Sequence, residues 1–339
     1  MKTVFFEATK LDRDTFTELL QGININLVFF DEKLDRETSL EKIKDAEIVS
    51  VFVGSEINKD ILDALPNLKY IVTRSTGFDH IDFEYAENKG IKVSNVPAYG
   101  SDTVAEFTFA LILSLSRKVH DAYDHLKSSG YSDVTHLKGF DLRGKTLGVV
   151  GTGKIGKNVI RIAKGFGMNV IAYDLYPDLN YSKEQGFEYK SLNQVASEAD
   201  ILTLHTPYTK ENHHLINKEI LDMTKKGVYI INTARGELLD TDALVSLLKD
   251  GRIAGAGLDV LEGEKEMKDE PSIITGSALR DDMEHYKTLL ENKMLLDMEN
   301  VIVTPHIAFN TNEAVYNIMK TTAENIKSFI AGQLINLVK

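Results

Sequence analysis

The sequence predicts an α/β fold built on doubly wound parallel sheets. Three features carry that expectation: short Val/Ile-rich runs, amphipathic stretches alternating with them, and a glycine-rich turn joining one such run to one such stretch. The first strands are expected at 47–54 (EIVSVFVG), 68–75 (LKYIVTRS) and 91–96 (IKVSNV), with the helical segments NKDILDALPN and FEYAENKG between them. Repetition of this β/α unit implies a parallel sheet covered by helices.

A second series follows the helix expected to begin near Ser101. Its strands are expected at 145–151, 168–174, 200–205, 228–233, 253–260 and 301–305. Helical patterns such as KIGKNVIRIAKGF and TDALVSLLKDG separate most of them, the latter stopping at Asp-Gly. Six strands in this rhythm argue for a doubly wound sheet. The last segment, NEAVYNIMKTTAENIKSFIAG, has apolar positions at helical spacing. Too few residues follow it for another domain, so it is expected to return and pack on the first one. Residues 262–300 are charged and then helical, a pattern that leaves a lid, an oligomer contact and a solvated excursion all open.

At roughly 150 residues per domain, 339 residues suggest about two domains. With 51 acids against 39 bases, the net charge of −12 opposes binding to nucleic acid. The chain contains no cysteine, which removes disulfides, thiolate nucleophiles and zinc–thiolate sites and suits a reducing compartment. MKTVFFEATK is too short an apolar start for a signal peptide, and TVAEFTFALILSLS (103–116) is too short to span a bilayer. A cytoplasmic protein without a membrane partner is the expectation.

Residues 151–156 read GTGKIG between a strand and a helix. Gly151 permits the tight turn, Gly153 lets a pyrophosphate approach the backbone, and Gly156 brings helix and strand together. The helix N-terminus offers N–H groups and partial positive charge to phosphates. Asp174 ends the next strand, where a carboxylate accepts from both ribose hydroxyls and repels a 2′-phosphate. No arginine follows in LYPD, so NAD is expected over NADP.

A nicotinamide enzyme acting on a 2-keto acid needs a cation for the substrate carboxylate, an acid for the nascent alkoxide, and a group that tunes the acid. Arg235, past the strand VYIINT, offers a planar fork for a carboxylate. His306, in VTPHIAF, has the ring chemistry of a proton donor, although an isolated histidine is first expected to pack. Glu262, Glu264 and Glu266 compete to be its partner, and spacing alone does not choose. His205 is placed to wall a cofactor site. His213 and His214 are adjacent, so their side chains should point apart unless the backbone bends. No H-E-x-x-H pattern exists, so no metal is expected, and there is no G-x-S-x-G elbow.

GTGKIG with Asp174, NTARGELLD, LDVLEGE and TPHIAF, in this order and at these distances, resemble the D-isomer-specific 2-hydroxyacid dehydrogenases; RSTGFDHID (74–82) and NVPAYGSDTVAE (95–106) extend the likeness into the first domain. The resemblance implies a flavodoxin-like substrate domain (1–101 and 307–339) carrying an inserted NAD-binding Rossmann domain (102–306), hinged around a cleft, in a homodimer formed through the NAD domain. It implies that D-V-x-x-x-E from Asp259 selects Glu264, so that Arg235, Glu264 and His306 take the catalytic roles. Lys154 and Ile155 would offer backbone groups to the pyrophosphate. Thr206, Pro207, Asn212, Thr233, Ala234 and Asp259 match cofactor-contacting positions, Asp259 through the nicotinamide amide. Thr76 and Gly77 would bind the substrate carboxylate, with Phe52, Tyr99 and Phe309 around its side chain; a core role is the first expectation for Phe52. The D-lactate dehydrogenase branch is the nearest likeness, with Leu261 and Thr76 departing from it. Pyruvate and D-lactate are the expected pair. Branched or aromatic 2-keto acids, glyoxylate or hydroxypyruvate, 3-phosphohydroxypyruvate, and an NAD(H)-sensing corepressor role remain open.

Overall fold

The structure is a computed structural model that describes residues 1–35, 38, 40–129, 134–264 and 283–338. The chain divides into two compact units, residues 1–100 with 310–339 and residues 101–309. The first holds a five-stranded sheet of β1 (Lys2–Phe5), β2 (Asn26–Phe29), β3 (Ile48–Val51), β4 (Tyr70–Thr73) and β5 (Lys92–Ser94). Their order is β2-β1-β3-β4-β5, and all pairings are parallel. This is the flavodoxin-like order. Alternate residues feed two separate cores. Val4, Val49 and Ile71 face one, while Phe5, Ile48 and Tyr70 face the other. Burial on both faces is why these strands read as continuous apolar runs and not as alternation. The helix Asn312–Ile330 covers the second face, where Phe329 stacks on Tyr70 with centroids 4.3 Å apart. It therefore packs on the first unit, as its sequence predicts.

The second unit contains β6 (Thr146–Val150), β7 (Asn169–Tyr173), β8 (Glu188–Tyr189), β9 (Ile201–Leu204), β10 (Val228–Asn232), β11 (Ile253–Leu258) and β12 (Val301–Val303). The seven strands run β12-β11-β10-β9-β6-β7-β8, again all parallel. Counted from β6 this is the dinucleotide-binding order, extended by one strand beyond β11. The order reverses between β6 and β9, and that switch point is where ligands bind in such sheets. The helix Ser101–Arg117 buries Phe109, Leu111, Ile112 and Leu115 against this sheet, the buried role its composition predicts. Among the described residues no helix is long and apolar enough to cross a membrane.

Three strands lie outside the runs predicted from sequence. β1 and β2 are four residues long, and β8 is a two-residue edge strand. Of the charged segment 262–300, residues 265–282, Glu266 among them, lie outside the described residues. The helix Met283–Asp297 that follows buries Leu295 and packs on the helix Thr241–Lys249 and on β12.

Candidate active site

The glycine loop leaves β6 at Gly151, whose φ of 93° is open to glycine but strained for other residues. A Cβ there would lie 2.7 Å from the Thr206 nitrogen, so only glycine lets the loop pack against the end of β9 at the switch point. Gly153 and Lys154 are exposed at the loop tip, Ile155 is half-buried, and a Cβ on Gly153 would meet nothing within 4 Å. The helix Lys154–Gly165 has no side-chain cap and no acid in its first turn. Its N-terminal N–H groups are therefore left without a side-chain cap and its positive end without a nearby acid in the first turn, which fits a dinucleotide pyrophosphate.

Asp174 is held beside this loop. Its Oδ2 accepts from the Thr152 N–H at 2.6 Å and the Thr152 hydroxyl at 2.8 Å, and its Oδ1 accepts from the Tyr176 N–H at 2.9 Å. Desolvation raises its pKa, but those hydrogen bonds and Lys157 outweigh burial and hold the carboxyl below its usual range. Thr152 is thus the residue that aims Asp174. The sequence motif leaves its position as an unspecified x, so only the contact reveals it.

His205 follows β9 and is buried. Burial pushes its imidazole down to about 3, and its Nε2 lies 2.9 Å from the Thr203 hydroxyl. Asn212 spends its amide on its own loop, accepting from the Thr209 N–H and donating to the Pro207 carbonyl. Thr206 is half-buried and Pro207 exposed. The buried Thr233 hydroxyl meets that of Thr108 at 3.1 Å, and half-buried Ala234 donates its N–H to Asn232 Oδ1.

Asn232, Leu258 and Val303 are in register across β10, β11 and β12. Arg235, Glu264 and His306 each lie a few residues beyond one of these strand ends. The parallel sheet thereby brings all three to one carboxyl edge. The Arg235 turn is set by Asn232, whose Nδ2 donates to the Arg235 carbonyl at 2.7 Å, and Arg235 Nη1 donates to the Ala234 carbonyl at 2.7 Å. Of the competing glutamates, Glu264 reaches the histidine: its Oε1 lies 2.5 Å from His306 Nδ1, with both side chains about a quarter exposed. Glu262 turns elsewhere, with Oε1 2.9 Å from His214 Nε2.

His306 has a φ of 56°, the left-handed region that non-glycine residues rarely enter. Asp259 holds it there. The buried Asp259 carboxylate accepts from the Thr304 hydroxyl at 2.5 Å, the Ile307 N–H at 3.0 Å and the Ala308 N–H at 2.8 Å. Its backbone carbonyl accepts from the His306 N–H at 2.9 Å. Burial pushes the Asp259 carboxyl above its usual range, against the pull of these donors. The visible work of Asp259 is therefore bracing residues 304–308, a role its sequence position did not announce. Gly236 is a second residue of this kind. A Cβ there would collide with the Leu261 carbonyl and the Glu262 nitrogen, so its absence lets the strand-end loop leading to Glu264 lie against the Arg235 turn.

Of the predicted substrate residues, Phe309 is half-buried in the same unit, whereas Phe52, Thr76, Gly77 and Tyr99 belong to the first unit. There the exposed Thr76 donates its hydroxyl to the Val96 carbonyl at 2.7 Å. The N–H groups of Thr76 and Gly77 find no acceptor among the described residues. Half-buried Phe52 lies beneath the Arg74 guanidinium, 5.9 Å from its ring centre. Its loop is tied down by Glu7, which accepts from the N–H groups of Phe52, Gly54 and Ser55. Half-buried Tyr99 accepts at its carbonyl from Asn317.

A doubly wound sheet with an uncapped glycine loop at its switch point, and a cation and an acid–histidine pair along the same edge, defines a dinucleotide-dependent oxidoreductase. The sequence profile of the D-isomer-specific 2-hydroxyacid dehydrogenase NAD-binding domain matches residues 109–308. D-lactate dehydrogenase of Escherichia coli K12 is 35% identical over 335 residues, covering 98% of each chain. An aromatic 2-oxoacid reductase of Clostridium sporogenes is 41% identical over 284 residues, 83% of this chain and 82% of its own. The crystal structure of D-lactate dehydrogenase from Aquifex aeolicus, complexed with NAD and lactic acid, superposes with a TM-score of 0.85 at 38% identity, covering 99% of this chain and 98% of that one. The chain belongs to the D-isomer-specific 2-hydroxyacid dehydrogenase family, and it is an NAD-dependent enzyme of that class.

Proposed function

We propose that this enzyme reduces pyruvate to D-lactate, with His306 as the proton donor. The observation carrying the reading is the 2.5 Å contact between His306 Nδ1 and Glu264. With Nδ1 turned to the carboxylate, Nε2 is the ring nitrogen left to face a substrate. Bound NADH supplies a hydride to the substrate carbonyl carbon. His306 Nε2 gives its proton to the carbonyl oxygen as that oxygen gains charge. Glu264 orients the ring and balances the charge of its protonated form. Arg235 holds the carboxylate and polarises the carbonyl. The N–H groups of Thr76 and Gly77 are the second carboxylate-binding element, and Phe52, Tyr99 and Phe309 border the substrate side chain. Cofactor contacts are assigned to Gly151, Gly153, Lys154, Ile155, Gly156, Asp174, Thr206, Pro207, Asn212, Thr233, Ala234, Arg235 and Asp259, the first five around the pyrophosphate.

Similarity to D-lactate dehydrogenases over nearly the full chain supports pyruvate. The aromatic 2-oxoacid reductase, more identical over a shorter span, favours a second reading in which the substrate carries a large apolar side chain. NADH consumption across pyruvate, phenylpyruvate, 4-methyl-2-oxopentanoate and glyoxylate separates them: the highest kcat/KM falls on pyruvate, and a phenylpyruvate maximum would replace the first reading by the second. Replacing His306 with Gln should nearly abolish turnover while NADH binding persists; unchanged turnover removes the histidine from its role.

A cytoplasmic homodimer formed through the NAD-binding unit completes the proposal. The helix Val119–Ser129 exposes Val119, Tyr123 and Leu126 at i, i+4, i+7 spacing, an apolar stripe suited to a second copy.

A further inference from the structure

We propose that His213, His214 and Glu262 form a binding site for one divalent transition-metal ion of the Zn2+ type. Their ligand atoms all lie within 4.8 Å of one another, the one such group among the described residues. Two imidazoles and a carboxylate suit Zn2+ and its neighbours, whereas Mg2+ and Ca2+ prefer sites built of oxygen alone.

Adjacent side chains on extended backbone point apart, and these two do not. His213 has φ −54° and ψ 130°, and His214 enters the left-handed region at φ 50°. That bend stacks the two rings, with centroids 3.9 Å apart and planes inclined by 22°. Non-glycine residues rarely enter this region, so the conformation is strained. The bend is fixed by the His214 N–H, which donates to the Glu237 carbonyl at 2.8 Å.

His214 Nε2 lies 2.9 Å from Glu262 Oε1, and His213 Nε2 lies 3.9 Å from the same oxygen. Metal–ligand bonds of about 2.0–2.2 Å in a tetrahedron place ligand atoms roughly 3.3 Å apart. Shifts of well under 1 Å about that separation therefore reconcile both pairs, and water takes the fourth position. The ion would replace the hydrogen bond between His214 and Glu262, binding His214 through Nε2 with the ring proton kept on Nδ1.

The surroundings orient the ligands as outer partners do around metal sites. Glu262 Oε2 accepts from the Thr241 hydroxyl at 2.9 Å, and the Glu262 carbonyl accepts from Asn292 Nδ2 at 2.7 Å. His213 Nδ1 lies 3.5 Å from the Tyr208 hydroxyl, which leaves its Nε2 for the ion. The carboxylate is 16% exposed, His214 32% and His213 45%, so an ion can enter from the His213 side. The site shares no residue with the Arg235–Glu264–His306 trio and does not depend on the roles proposed for it.

The test is titration of the full-length, tag-free protein, stripped with chelator, with Zn2+ followed by calorimetry and Co2+ followed by visible absorption. One equivalent of Zn2+ should bind, and Co2+ should develop the strong ligand-field bands of a four-coordinate site. His213→Ala and Glu262→Gln, each with unchanged circular dichroism, should weaken Zn2+ binding roughly tenfold to a hundredfold or more, since even outer-shell partners act on that scale. His306→Gln should leave it unchanged. No binding up to millimolar ion, equal affinity in either folded site variant, or loss of binding in His306→Gln would each overturn the proposal, the last by placing the ion at the catalytic histidine.

Discussion

Gly236→Ala tests whether close contact between the Arg235 turn and the loop leading to Glu264 matters. Gly236 does not occupy the left-handed region, so alanine meets no conformational penalty there. The whole effect is steric. The added methyl would lie far closer than 3.0 Å to the Glu262 nitrogen and the Leu261 carbonyl, where an ordinary contact is 3.4–4 Å. Both neighbours are backbone, so relief requires the 261–264 loop or the 235–238 turn to move by about 1 Å. Overpacking of this kind costs about 1–3 kcal/mol of stability. The same displacement draws Glu264 away from His306 or swings Arg235, and a misplacement of about 1 Å costs on the order of a hundredfold in turnover. Urea denaturation reads the first effect and steady-state keto-acid reduction the second. Wild-type stability together with wild-type turnover in Gly236→Ala would refute the reasoning, because the collision would then have been absorbed without moving either group.

Other consequences are equally specific. Asp174→Ala removes the carboxylate proposed to face the ribose, so preference should shift from NADH toward NADPH by roughly tenfold or more, the worth of a charge-assisted hydrogen bond; an unchanged ratio of kcat/KM values removes Asp174 from cofactor selection. His205 is neutral in the folded chain down to about pH 3, whereas in the unfolded chain it takes up a proton below its ordinary 6.5. Its contribution to stability is therefore complete above that value and declines as pH falls toward 3, by about 2 kcal/mol between pH 7 and pH 5. His205→Asn should lose that much less stability over this interval in urea denaturation, and an acid slope equal to wild type would contradict burial as the cause. Tyr123→Glu combined with Leu126→Glu should halve the mass measured by light scattering; a dimer surviving both charges would exclude this stripe as its contact.

Much of the candidate site was legible before any fold was known, for reasons that differ by residue. GTGKIG and Asp174 could be read because phosphate binding demands missing side chains at fixed spacing and a carboxylate at the next strand end. The strand runs preceding Arg235 and His306 placed both at one carboxyl edge, since a parallel sheet delivers every strand end to the same side. Glu264 could be reached only through family resemblance, because three glutamates at alternate positions look alike to any argument from spacing. β1, β2 and β8 went unread, although β1 and β2 are as long as the β3 and β4 that were read.

Composition, strand runs and glycine spacing by themselves determined a cysteine-free α/β protein with a nucleotide loop and an ordered set of polar groups at strand ends. These are properties of local chain and repeat, and one dimension is enough to hold them. Tertiary structure alone decided which polar groups meet. It turned Glu264 to His306 and Glu262 to His214, set Asp259 to brace the His306 turn through three donors, and pressed Gly236 against the loop leading to Glu264. It also stacked two neighbouring histidines that extended backbone would have parted. A hydrogen bond is made or lost within a few tenths of an ångström, and only the folded chain fixes distances between residues dozens of positions apart.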